Sequence, residues 1–256
     1  MHNRKIFISA LLIVLILVGC FLTILRLIIH VANIDDIVIS GYEVDYDIDT
    51  QTILDQISHD NTGAFSVRKS ALYFADKTPL PPVSWTQEDF FLVADALNRT
   101  IQAESLKEWQ LDEMNYRVGE CANASFGIQE ALLEYFTVIG KNKDGRDMVN
   151  FIRFEIFPRY EIITYGDTVE SIFGFSGGPR IDTTRITIPA DVALNKAEDN
   201  GGRAFRESIN NNCEIYITLN QFFWKYEWQV EYRAFSPYSD KIFLVDAQSG
   251  KVSIGK

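Results

Sequence analysis

Uncharged, mostly aliphatic residues run unbroken from Ile6 to Leu25, behind a short basic start at His2-Asn3-Arg4-Lys5. A helix of that length, rising about 1.5 Å per residue, reaches roughly the 30 Å of a bilayer's hydrocarbon core. The apolar pattern resumes after Arg26 as Leu27-Ile28-Ile29, which predicts a transmembrane anchor over 6–32 behind a cytosolic tip of 1–5. Two other readings compete. Leu17-Val18-Gly19-Cys20 is similar to a bacterial lipobox and makes Cys20 a lipidation candidate, and a basic start before an apolar run also opens cleaved signal peptides. The apolar continuation Phe21 to Leu25 favours the uncleaved helix. Arg4 and Lys5 before the span, against Asp35 and Asp36 beyond it, place the N-terminus in the cytosol and the rest of the chain outside.

Past the anchor the rhythm changes to strands and short helices. From Ile37 to Ile48, Val44, Tyr46 and Ile48 oppose Glu43, Asp45, Asp47 and Asp49, the alternation of a strand with one wet face. Ile53 to Ile57 suits a short helix, Ala71 to Phe74 a strand, and Pro79, Pro81 and Pro82 mark a boundary. Ser84-Trp85-Thr86-Gln87-Glu88-Asp89 supplies capping side chains and first-turn acids for a helix over 86–104, with Phe90, Ala94, Leu97 and Ile101 at helical spacing. Strands are then expected at 115–120, 131–139 and 149–165, with a hairpin loop at 141–145. The segment 131–139 also fits a helix, through Leu132, Tyr135, Phe136 and Ile139; strand is preferred.

After Gly174, Gly177, Gly178 and Pro179, a short helix is expected to open at Ile188-Pro189 and end at Gly201-Gly202. Trp224, Tyr226, Trp228, Val230 and Tyr232 then alternate strictly with charged and polar residues, which is the pattern of a half-buried strand. A last hairpin pairs 242–245 with 252–254. The outer part thus divides into a membrane-proximal segment 33–83, a helix-plus-sheet unit 84–187 and a second unit 188–256. The fold class is α+β, built from helix-on-antiparallel-sheet units. Two α-β-β-β repeats and one continuous sheet both fit, since the halves share no residue-by-residue repeat.

Charge and cysteines narrow the setting. The first 34 residues hold three of the 24 basic residues and none of the 35 acidic ones, so residues 35–256 carry −14 against −11 for the whole chain. An acidic surface disfavours nucleic acid as a partner. An aromatic share of 13% leaves ample material for a core. With Cys20 in the anchor, Cys121 and Cys213 remain outside, where a disulfide between them is permitted and would join the two units; two buried thiols are the alternative.

Ala193-Leu194, Ala197 and Gly201-Gly202, then Trp228-Gln229-Val230-Glu231-Tyr232, then Phe243 to Val252 resemble the PepSY-type domain over the last 70 or so residues. The resemblance implies one helix on a small antiparallel sheet, an extracytoplasmic setting and a link to inhibition of peptidases; it carries no catalytic residues. The stretch from Arg203 to Phe223 is longer than that pattern allows.

Candidate chemistry is sparse. His59, beside Asp60 and Asn61, is the single outer histidine and reads as a loop residue. Ser66-Val67-Arg68-Lys69 has the Ser-x-x-Lys spacing that sets a lysine one helical turn from a nucleophile, without the companion motifs of that class. Asp45, Asp47 and Asp49 lack the glycine and closing glutamate of a calcium loop. Asn98 and Asn123 sit in glycosylation sequons. No catalytic, cofactor or metal residue is therefore assigned. The expected role is a non-enzymatic extracytoplasmic protein, anchored through residues 6–32, that binds a protein or peptide. A PepSY-like peptidase modulator is the alternative, and a hydrolase centred on Ser66 the third reading.

Overall fold

The computed structural model describes residues 37–59, 65–72, 76–172, 181–222 and 225–255, and in it the alternation that begins at Ile37 becomes strand β1 (Ile37–Asp47). Tyr46 and Ile48 are buried as the pattern requires. Asp49 then accepts from the N–H groups of Gln51 and Thr52, starting helix α1 (Ile53–His59), which buries Ile53 and Ile57. A two-residue strand β2 (Arg68–Lys69) pairs with the end of β1.

Helix α2 (Gln87–Gln102) forms where the spacing predicts it. Thr86 and Asp89 make a reciprocal capping box, and Phe90, Val93, Ala94 and Leu97 face inward. Burying a side chain such as Phe90 or Leu97 in full contributes about 1.5–3 kcal/mol. Next come four strands, β3 (Gln110–Glu120), β4 (Glu130–Lys141), β5 (Asp147–Phe157) and β6 (Ile162–Ile172). The single strand expected over 149–165 is two, because Pro158 brings no N–H donor and opens a tight turn, Pro158–Tyr160, closed by Glu161 at φ +52°.

The second helix also differs from expectation. It runs as α3 (Ala190–Ala197), kinks through Glu198–Gly202 with Gly201 at φ +116°, and continues as α4 (Arg203–Ser208) instead of ending at the glycines. Strand β7 (Cys213–Phe222) occupies the stretch that exceeds the PepSY-type pattern, with Ile215 and Ile217 buried between Glu214, Tyr216 and Thr218. After it come β8 (Lys225–Ala234), β9 (Lys241–Asp246) and β10 (Val252–Ile254). In the turn before β10, Asp246 accepts from the N–H groups of Gln248 and Ser249.

Among the described residues ten strands form one antiparallel sheet in the order β10-β9-β8-β7-β3-β4-β5-β6-β1-β2. Helix α2, and likewise the kinked pair α3 and α4, is succeeded by four strands, one more than the pattern suggests, and the first strand of each set lies at the centre. The units therefore meet back to back at the β3–β7 seam, where Tyr116 stands opposite Ile217. The Cys121–Cys213 disulfide closes one end of that seam, with Cα atoms 5.3 Å apart.

The helices share one core with a single face of the sheet. Phe90, Leu97, Ala193 and Leu194 pack with Met114, Tyr116, Leu133, Phe154, Trp228 and Tyr232. The Trp228 indole donates to the carbonyl of Ile188 at 2.7 Å, so the aromatic row of β8 is core from Tyr226 to Tyr232. The opposite face is wet where the strands carry charge, and it also buries Phe136 and Val149. Residues 6–32 with Cys20, and Trp224, Gly174, Gly177 and Gly178, lie outside the described residues. Among the described residues no helix is long and apolar enough to cross a membrane.

Candidate functional site

The wet face carries a row of side chains that no single segment announces. Antiparallel register sets Glu113 of β3 opposite Glu134 of β4, Glu134 opposite Arg153 of β5, Arg153 opposite Gly166 of β6, and Gly166 opposite Glu43 of β1. One line thus crosses five strands. The neighbouring row is Phe136, Phe151, Thr168 and Gly41. With hydrogen in place of a side chain at Gly166 and Gly41, the floor sinks between Arg153 and β1. A Cβ on Gly41 would stand 3.1 Å from the Thr168 hydroxyl. The result is a hollow of ≈ 700 Å³, lined by Glu43, Asp112, Glu134 and Glu170 together with Arg153.

Its electrostatics are one-sided. The Arg153 guanidinium is held by Glu155 at 2.7 Å. Burial, reinforced by Glu113 and Asp112, pushes the Glu134 carboxyl up to about 6, and Arg153 offsets this only in part. Burial and Glu113 likewise raise Asp112. Carboxylates crowded in this way gain from any cation that joins them. The arrangement offers acceptors and negative charge to a ligand. Among the described residues no group of three or more His, Cys, Asp or Glu side chains is placed to hold a metal ion.

The residues singled out by motif are not brought together. Ser66 is exposed in extended chain before β2 and Lys69 lies within β2, so the lysine is not one helical turn from the serine. His59 ends α1, its ring Nδ1 2.7 Å from the Asp55 carbonyl oxygen, instead of standing in a loop. The three strand-face aspartates are each engaged locally. Asp45 accepts from the Thr164 hydroxyl, Asp47 pairs with Lys77 and Arg68, and Asp49 caps α1. Asn98 is buried in α2 and donates to the Glu104 carbonyl, which withdraws it from any modifying enzyme in the folded protein.

A second concavity of ≈ 650 Å³ lies across the molecule, between α2 and residues 181–183, with Phe91, Leu92, Trp109 and Ile181 in its walls. Its central carboxylate, Asp95, is consumed by Arg99, Ser105 and the Leu106 N–H. Sequence reasoning missed Glu134, Arg153, Glu43 and Glu170. Alternation marks each as solvent-facing, and only register makes them neighbours. No family model matches the chain, and neither a curated protein nor a solved structure does.

Proposed function

We propose that this is a non-enzymatic, membrane-anchored protein whose extracytoplasmic part holds a cationic stretch of another protein or peptide in the hollow between β4 and β1. The row Glu113, Glu134, Arg153, Gly166 and Glu43, with three carboxylates to one guanidinium and low at its glycine, carries the reading. The lining offers carboxylates to a lysine or arginine side chain, and its residues span several strands, which suits a chain segment. The test is titration of the full chain with a short alternating Lys-Thr peptide and with its Glu-Thr counterpart. Tighter binding of the basic peptide, weakened by added salt and by Glu43→Gln or Glu134→Gln, is expected. Equal binding of the two peptides, or turnover of a substrate that one side-chain replacement abolishes, overturns the reading.

The C-terminal unit favours a second role, modulation of a cell-surface peptidase. One helix on an antiparallel meander over 190–254 is the arrangement that the PepSY-type resemblance implies, and the excess length after Arg203 is taken up by α4 and β7. Under this reading the full chain slows a peptidase of the same membrane. Unchanged rates across those peptidases would end it.

A further inference from the structure

We infer that the cationic segment binds as an added β-strand along the outer edge of β1, an inference that rests on the acidic hollow as the binding site. β6 pairs with β1 from Ile37 to Asp47, whereas on the other side β2 reaches only Tyr46 and Asp47. One more bond, from the Ser70 N–H to the Asp45 carbonyl at 2.8 Å, ends that second ladder. In an antiparallel sheet alternate residues turn both backbone groups to the same neighbour. Asp45 turns outward, so Glu43 and Gly41 do as well. Among the described residues nothing pairs with β1 beyond Asp45 on this side.

The chemistry of the missing strand is visible in the fragment that is present. Arg68 of β2 stands directly opposite Asp47 in register, and the two form an ion pair at 3.2 Å. Ser70 already stands opposite Asp45, so a strand continuing this ladder would set side chains opposite Glu43 and Gly41, within the 4.5–5.5 Å or so of cross-strand neighbours. A basic residue opposite Glu43 answers that acid and extends the row of Glu134 and Arg153 by one strand. Space is available: a concavity of ≈ 510 Å³ is lined by Glu43 to Asp45 and by Lys69 to Leu72. An added strand would also cover part of Val38 and Tyr42, which are 60% and 49% exposed.

A second copy of the chain fits the edge poorly. Asp45 and Asp47 are already taken by β2, and a second copy would bring the same net charge of −14 to an edge that holds Glu43 and borders the acids of the hollow, so self-pairing sets like charge against like. The occupant is therefore a segment of another polypeptide, extended and basic, that joins by strand addition.

The experiment uses the full chain and three forms of the Lys-Thr peptide: unmodified, and N-methylated at alternate amides in each of the two registers. Methylation removes donors and leaves the charge. One register should lose binding by about tenfold or more, as edge hydrogen bonds vanish, while the other changes little. Binding should slow hydrogen exchange at the Gly41 and Glu43 amides. Glu43→Pro, which removes an outward N–H that β6 does not use, should weaken binding more than Glu43→Gln. If both registers bind alike and exchange at Gly41 and Glu43 is unchanged, strand addition is overturned while the acidic hollow stands. If the unmodified peptide does not bind, the hollow itself is overturned and this inference falls with it. Dimerisation that protects the same two amides would overturn the choice of occupant.

Discussion

Gln87 and Asp191 open the two principal helices, and each completes the start of the other. The Gln87 N–H donates to Oδ1 of Asp191 at 3.3 Å, while Oε1 of Gln87 accepts from the Ala190 N–H at 2.8 Å. Helix N-termini leave donors without intrahelical partners, and Pro189 at the head of α3 has no side chain to supply an acceptor. The acceptor comes instead from α2. Gln87→Met keeps the bulk, removes the acceptor and strands a buried donor, so it should lower unfolding free energy by about 1–3 kcal/mol in urea titration. Asp89→Ala, which breaks only the local capping box, should cost about 1 kcal/mol.

The Cys121–Cys213 bridge closes a loop with a sequence separation of 92 between the end of β3 and the start of β7. Chain-entropy reasoning assigns a loop of that length about 4–5 kcal/mol of stabilisation, by restricting the unfolded state. Replacing both cysteines by alanine should reduce stability by an amount of that order. Because Cys121 and Cys213 are buried within the shared core, the transition should stay cooperative across both units. Separate unfolding of residues 87–172 and 190–254, seen as two transitions, would show that the seam depends on the bridge.

Glu134 should leave a mark on the pH dependence of stability. Its carboxyl titrates near 6 in the folded protein against 4.5 for an unperturbed glutamate. Below the lower value it is protonated in both states and contributes nothing. As pH rises from about 4.5 to about 6 the unfolded chain ionises first, so the folded state loses ground across that window and does not regain it above. Glu134→Gln should therefore flatten the fall in melting temperature between those pH values and stabilise the protein at pH 7. A cation bound in the hollow pulls the same carboxyl down, so the basic peptide should bind more weakly as pH drops below about 6.

Much of the fold is legible in alternation, because a half-buried strand repeats every two residues. β1, β4 and β8 read correctly, as do the start of α2 and the last hairpin. β7 escapes the pattern reading although Ile215 and Ile217 alternate with Glu214 and Tyr216, because Gly201-Gly202 reads as a helix end whereas the helix kinks through it. The hollow is not legible at all. Which acids meet across β3, β4, β5, β6 and β1 depends on register, which is shifted by irregularities between Leu111 and Glu113, between Val138 and Gly140, and between Val38 and Ser40. A slip of one residue would turn every side chain to the other face.

The kink at Glu198–Gly202 is held by a buried ion pair whose removal tests how the C-terminal unit is built. Glu198 is 6% exposed; Arg206 reaches it at 2.8 Å, and the Tyr232 hydroxyl donates to its other oxygen at 2.7 Å. Burial and that hydrogen bond push the tyrosine's titration far upward, so the phenol stays a donor throughout the working pH range. Glu198→Ala leaves Arg206 without its acid in a poorly hydrated site, and breaking one side of such a pair costs about 3–5 kcal/mol. Replacing both partners, Glu198→Leu with Arg206→Met, should cost less than either single change, since no unpaired charge remains. Gly202 adds a steric condition, because a Cβ there would overlap the Tyr232 hydroxyl. Gly202→Ala should therefore destabilise the unit even with the ion pair intact. Denaturant unfolding of the single and double variants separates the two causes: a double variant worse than both singles would mean that the pair positions the kink by geometry and not by cancelling charge.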